Sequence, residues 1–220
     1  MPGFQELLTT AWLGPTLWAA VYVSDYVLTV TCARLYRAQD HIVFEGSYEI
    51  TPMFQADIDG LRKFSRRFLV ALIVSTGYLW LVRSVAVSWA DYTVYTGVLG
   101  AMLLAQATVH IRHLRNWFLF SKGAKVIHGR LAYPRRFLLT MSAFELTLFA
   151  GLYLGLGLVT SSVFVLGGGL ACGILAINHY RLARRQAASP AGQKATRQSD
   201  NQHEHQRPVR RLGPRLPSSE

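Results

Sequence analysis

Four ionisable side chains stand inside otherwise apolar stretches of this 220-residue sequence. They are two acids, Asp25 and Glu145, and two histidines three residues apart, His110 and His113. A charge at the centre of a bilayer costs about 2.5 kcal/mol or more, so such residues normally face the interior of a helix bundle or a water-filled cavity. These four residues are therefore the first candidates for chemistry.

The polar residues in these stretches recur at helical spacing, and residues three or four apart share one face of a helix. The polar stripes are Tyr22, Asp25, Thr29 and Cys32; Gln106, His110 and His113; and Ser142 with Glu145. At 1.5 Å per residue, their central members lie roughly 5 to 12 Å from the basic edge of a ~30 Å hydrocarbon core. The sequence thus predicts one polar site, formed by Asp25, Gln106, His110 and Glu145.

Two kinds of chemistry fit this site. Asp25, His110, His113 and Glu145 are the side chains that can bind a divalent metal such as Zn, Mn or Fe between helices. Alternatively, the two acids line a water-filled path and titrate during transport of an ion. A purely structural role, with neutral acids hydrogen-bonded between helices, is the third interpretation. His113 and the later His179 fit a position among the lipid head groups equally well, since each stands beside arginines.

Long apolar windows must position these residues. A helix needs about 20 apolar residues to cross the hydrocarbon core. Five windows qualify, at about 11–33, 68–89, 93–112 (with a helical continuation toward 120), 137–159 and 162–180. The fold class predicted is therefore an all-α, polytopic transmembrane bundle of five spans over residues 1–185.

The charged residues are distributed very unevenly. The chain carries a net charge of +11 although 51% of its residues are hydrophobic and only 16% are charged. Of its 23 basic residues, 22 fall after the first window, after the third window or after the fifth, and Arg83 is the exception. Because basic loops stay in the cytoplasm, this predicts an N-out, C-in orientation, with anionic lipid head groups at the basic face. A bacterial inner membrane is the expected location, and nucleic acid is not an expected partner.

The segment 34–67 is too polar to span a membrane and too apolar for a simple linker. We expect a strand-like piece over 41–49, then a helix that begins near Thr51-Pro52, with Thr51 as its N-cap. The apolar spacing of Phe54, Ile58 and Leu61 places this helix against the membrane or under the bundle. In the functional alternative, Glu45 or Glu49 folds toward the histidines.

Glycines and the end of the chain complete the sequence pattern. Gly151 and Gly155, and likewise Gly169 and Gly173, have the small-xxx-small spacing that lets membrane helices approach closely. Residues 186–220 lack apolar periodicity, which predicts a disordered basic tail. The two cysteines exclude a secreted disulfide scaffold.

Three functions remain open. The first is a small transport or channel-like protein for an ion or solute, which uses Asp25 and Glu145. The second is a membrane-embedded enzyme, metal-dependent or not, that acts on a lipid-type substrate. The third is an accessory protein without a site, which assembles as a homo-oligomer or with a membrane partner. No metalloprotease HExxH, phosphate loop, nucleophile elbow or CxxC motif occurs in the sequence.

Overall fold

The computed structural model describes residues 10–187, except 46, 124–125 and 127. The chain divides into two units, 1–183 and 184–220, and only the first four residues of the second are described. The tail predicted over 186–220 therefore lies, from residue 188 on, outside the described residues. The described part contains six helices and two short strands. They are α1 (Leu13–Arg37), β1 (Ile42–Phe44), α2 (Gln55–Asp59), α3 (Arg66–Trp89), α4 (Thr93–Ser121), β2 (Leu131–Tyr133), α5 (Arg135–Thr160) and α6 (Val163–Ala187).

Five of the helices are long and apolar enough to cross a membrane, namely α1, α3, α4, α5 and α6. Each coincides with one predicted window, and together they suggest an integral membrane protein. Helix α4 reaches Ser121, in line with the continuation expected toward 120, whereas α1 continues past its predicted end to Arg37 and α6 to Ala187. Backbone hydrogen bonds continue a helix regardless of hydrophobicity, so the apolar window marks only the part that lies in hydrocarbon.

Helix α4 packs against α1 and α6. Tyr95 and Leu99 are fully buried in a cluster with Trp18 of α1 and Leu79 of α3. Against α6, the backbones come very close, since a Cβ on Gly100 would lie 1.9 Å from the Phe164 carbonyl oxygen. This close approach fixes how α4 and α6 present their polar residues to each other.

The four predicted packing glycines behave differently from one another. A Cβ on Gly169 would lie 2.7 Å from Leu154 Cγ, so this glycine does serve a close contact between α5 and α6. Gly173 has only an ordinary contact, 3.9 Å from the Ala150 Cβ. Gly151 and Gly155 lie on the exposed face of α5 with nothing within 4 Å of a Cβ, so within the described chain they do not serve helix packing.

We call the end of the bundle where the connections 38–65 and 122–134 lie the basic end. Strands β1 and β2 pair there in parallel, with Ile42 opposite Leu131 and Phe44 opposite Tyr133. The strand-like piece expected in 41–49 is thus present. Aromatic rings pack around the small sheet and join both connections to the ends of α1 and α4; they belong to Tyr36, Phe44, Tyr48, Phe120 and Tyr133.

The start predicted for the surface helix is wrong. Helix α2 begins at Gln55, and residues Thr51 to Phe54 form a turn in which the Thr51 carbonyl accepts from the Phe54 N–H at 3.1 Å. The N-cap residue of α2 is therefore Phe54 and not Thr51, whose N–H donates to the Glu49 carboxylate at 2.7 Å. The location of the helix is as expected, since Ile58 is buried against α1.

Candidate functional site

A cavity of about 630 Å³ lies between the helices at the basic end. Most of its lining residues come from α1, α4 and α5 and from the connection between β1 and α2, and the other helices and both strands contribute one or two each. Much of the wall is apolar, and the residues responsible are Phe54, Ile58, Phe68, Leu138, Met141, Leu146 and Leu175. Of the predicted polar site, Asp25, Gln106 and Glu145 line this cavity, whereas His110 does not.

Asp25 of α1 and His113 of α4 form an acid–histidine pair on one wall. The His113 Nε2 atom lies 3.3 Å from Asp25 Oδ1 and 3.1 Å from the Thr29 hydroxyl oxygen. Thr29 donates its single hydroxyl proton to the Asp25 backbone carbonyl at 2.8 Å, so it can only accept from His113. His113 Nε2 therefore carries a proton, and His113 Nδ1 is buried without a partner in the described structure. His113 is also one of the residues that line the cavity.

Glu145 of α5 is held by two arginines of α4. Arg112 donates through Nε to Glu145 Oε2 at 3.0 Å, and the half-exposed Arg115 donates to Glu145 Oε1. The Arg112 Nη2 atom is buried with no partner among the described residues, and so is the amide nitrogen of Gln106. A buried donor without a partner costs about 1 to 3 kcal/mol. Unpartnered donors on one cavity wall therefore favour a bound acceptor such as a carboxylate, phosphate or carbonyl oxygen.

Ser142 of α5 and His179 of α6 meet on another part of the wall. The Ser142 Oγ atom lies 2.7 Å from His179 Nδ1, and both residues line the cavity. A head-group position was one expectation for His179, but the structure places it against the cavity. The pair escapes sequence reasoning because its members are 37 residues apart on different helices. In the sequence, only the polar stripe of Ser142 and Glu145 indicated that Ser142 faces the interior of the bundle.

The connection between β1 and α2 covers the cavity with Tyr48 and Glu49. The Tyr48 hydroxyl accepts from the Asn116 amide at 3.3 Å, and burial raises the pKa of Tyr48 well above its usual value. Burial also raises the pKa of the Glu49 carboxyl, against the opposing effect of the hydrogen bonds from Thr51. Of the two acids expected to fold toward the histidines, Glu49 does so, while Glu45 is exposed.

The four side chains predicted as metal ligands are not brought together. His110 Nε2 lies 2.7 Å from the Ser24 hydroxyl, outside the cavity, and His110 Nδ1 contacts the Gln106 carbonyl at 2.9 Å. Glu145 is neutralised by arginines, whose charge opposes a bound cation. Within residues 10–187 as described, no three His, Cys, Asp or Glu side chains are grouped as metal ligands. The physical reason is rotation, since residues three apart on a helix differ in direction by about 60°.

The site also includes three residues that were not among the predicted site residues, namely Arg112, Arg115 and Asn116. They lie at the end of the third apolar window and in the helical continuation expected after it, and all three line the cavity. The spacing of four between Arg112 and Asn116 was the feature of the sequence that could have placed both residues on one face of a helix. No protein-family model matches this chain, and neither a curated protein nor a solved structure is detectably similar to it.

Proposed function

We propose that the protein is a multi-pass membrane protein that binds an amphiphilic, lipid-type molecule in the basic-end cavity. One observation carries this proposal: a largely apolar cavity of about 630 Å³ is lined by Gln106, Arg112 and His113, each of which has a buried nitrogen without a hydrogen-bond partner in the described structure. The apolar wall suits an acyl or alkyl chain. The polar atoms suit a head group that offers negatively charged or carbonyl oxygens.

The charges in the cavity favour an anion over a cation. Asp25 already lies beside the His113 imidazole, and Glu145 is compensated by two arginines. Arg112, in contrast, keeps one nitrogen without a partner. Asp25 Oδ1 accepts no hydrogen bond among the described residues, so the preference for an anion is argued from the other acid. Two arginines meet one carboxylate at Glu145, and this excess of positive charge favours a carboxylate or phosphate over a metal ion or an alkali cation.

Ion transport through Asp25 and Glu145 is the less supported alternative. An ion path needs acids that face water and titrate, and here each acid contacts a cationic or histidine side chain. A proteoliposome flux assay at two pH values addresses this alternative directly.

The orientation and location are part of the proposal. The basic residues gather in the sequence after the first, third and fifth apolar windows, and many of them lie in the last turns of the corresponding helices or in the connections that follow. By the positive-inside rule, this supports an N-out, C-in orientation in a bacterial inner membrane, with the cavity in the cytoplasmic half of the bilayer.

The experiment compares three ligands with one alkyl chain: dodecanoate, dodecyl phosphate and dodecanol. Thermal stabilisation of the purified protein in a non-ionic detergent reports binding, and Arg112→Gln is compared with Arg66→Gln at the exposed start of α3. Because a charge-assisted hydrogen bond is worth about 1.5 to 3 kcal/mol, the anionic ligands should bind at least about 10-fold more tightly than dodecanol.

Arg112→Gln should remove this preference, and Arg66→Gln should keep it. Equal binding of the three ligands to the unmodified protein, or a preference that survives Arg112→Gln, would overturn the proposal. Pyranine-detected proton flux that depends on Asp25 would instead favour the transport alternative.

A further inference from the structure

We propose that Ser142 and His179 are a nucleophile–base pair that cleaves a carboxylic ester in the amphiphile bound in the cavity. This inference rests on the proposed amphiphile binding and adds a reaction to it. It assigns a catalytic role to two residues on the α5–α6 hairpin, on a different wall from the Asp25–His113 pair.

The two side chains are held together by adjacent helices. α5 and α6 are joined by a turn of two residues, 161 and 162, so they run antiparallel side by side. Ser142 and His179 meet across this hairpin at 2.7 Å, and both lie on the cavity wall. A hydrogen bond of this length between a hydroxyl and an imidazole is the arrangement in which a base activates a nucleophile.

The Ser142 hydroxyl differs from the other hydroxyls of its helix. Thr140 and Thr147, both exposed, donate to the carbonyl oxygens four residues earlier, at 2.9 and 2.8 Å. In the described structure, the hydrogen bond of Ser142 goes to His179 instead. In the His179 tautomer that carries its proton on Nε2, the Ser142 hydroxyl donates to His179 Nδ1 rather than to the backbone.

A group that can stabilise negative charge lies close by. Glu145, one turn after Ser142 on α5, receives Arg112 through Nε, while Arg112 Nη2 remains unpartnered and buried. Arg112 is also near enough to His179 to act on it electrostatically. Arg112 and Ser142 line the same cavity, so the guanidinium supplies positive charge on the side where the oxygen of a reacting carbonyl becomes negative.

The reaction balances with an ester and water alone. The Ser142 oxygen bonds to the carbonyl carbon as its proton passes to His179 Nδ1, and the carbonyl oxygen takes the negative charge. The carbon–oxygen bond to the alcohol then breaks, and the alcohol leaves with the proton from His179. Water attacks the resulting acyl-enzyme in the same way, which releases a carboxylic acid and restores the Ser142 hydroxyl.

The experiment uses a dodecyl fluorophosphonate, in which serine displaces fluoride from phosphorus, together with hydrolysis of a p-nitrophenyl dodecanoate. The full-length protein in detergent is compared with Ser142→Ala, His179→Gln and the control Ser75→Ala. Ser75 is a matched control because it is also a helix serine bonded to another helix, through Trp18 Nε1 at 2.9 Å, and it does not line the cavity.

We expect mass spectrometry to locate the phosphonate on Ser142. Ser142→Ala should abolish both reactions, His179→Gln should slow them at least about 100-fold, and Ser75→Ala should leave them unchanged. Dodecanoate binding, measured in the same samples, should persist in all variants and shows that each is folded. Absence of labelling at Ser142 in a protein that binds dodecanoate would overturn this inference alone, whereas loss of dodecanoate binding in the unmodified protein would overturn the proposed function as well.

Discussion

Replacement of Gly100 by alanine tests how closely α4 and α6 approach each other. The added Cβ would lie 1.9 Å from the carbonyl oxygen of Phe164 and 2.6 Å from its carbonyl carbon. Non-bonded atoms require about 3.5 Å, so the two backbones must separate by roughly 1.5 Å. Because the contacting atoms belong to a helix backbone, no side-chain rotation can relieve the clash.

The expected loss follows from two opposing effects. Overpacking of a close contact costs about 1 to 3 kcal/mol, occasionally more, while alanine gains up to about 1 kcal/mol over glycine in a helix. We therefore expect Gly100→Ala to lower the free energy of unfolding by about 2 kcal/mol. The matched control is Gly151→Ala on the exposed face of α5, where nothing lies within 4 Å of a Cβ. That change should be neutral or stabilising by up to about 1 kcal/mol.

Unfolding by a rising fraction of dodecyl sulfate in mixed micelles, followed by circular dichroism, gives the free energy of both variants. Dodecanoate binding gives a second measurement, since separating α4 from α6 moves Arg112 away from His179. If Gly100→Ala is as stable as the unmodified protein, or if Gly151→Ala loses as much, the close packing of α4 on α6 is refuted.

Three further changes address the site and its cover. The raised pKa of Glu49 contributes stability that is complete below its ordinary pKa of 4.5 and is lost as pH rises through the folded-state value. Glu49→Gln should therefore match the unmodified protein near pH 4 and exceed its melting temperature at pH 8; a pH-independent difference would contradict this. Asp25→Asn removes the carboxylate beside His113. It should lower the free energy of unfolding by about 2 kcal/mol when unfolding by dodecyl sulfate is followed by circular dichroism. An unchanged free energy would show that the pair is not formed. Ser65 caps the N-terminus of α3 and also donates to the buried Asp57 at 2.5 Å. Ser65→Ala should therefore lower the free energy of unfolding by about 1 to 2 kcal/mol, whereas Ser65→Thr should retain most of that stability. Equal stability of the two variants would argue against a capping role.

The spans were predictable because the cost of polar groups in hydrocarbon acts on every residue of a window. The same property does not set where a helix ends, and this explains why α1 continues past its apolar window to Arg37. The start of α2 was misjudged for a local reason. Thr51 is a good capping residue in isolation, but its carbonyl accepts from the Phe54 N–H, and this turn precedes a helix that begins at Gln55.

The site was predictable in part. Asp25, Gln106 and Glu145 line one cavity, as their matched depth suggested. Their partners were not predictable, because pairing depends on how each helix is rotated and on which long side chains reach inward. Helical spacing alone did not predict which residues share the cavity. His110 contacts Ser24 outside it, while His113, one turn further along α4, lines it.

The parallel pairing of β1 with β2 has a consequence for biosynthesis. The register joins Ile42 to Leu131, a separation of 89 residues, and α3 and α4 lie between them. At about 5 to 20 residues per second, translation leaves the edge of β1 without its partner for roughly 4 to 18 s. During that interval, the unpaired backbone groups of β1 are open to other strands or to a chaperone. The connection between β1 and α2 can therefore take its place over the cavity only once β2 and the start of α5 have left the ribosome. The site is completed late in synthesis, although Asp25 is among the first of its residues to be made.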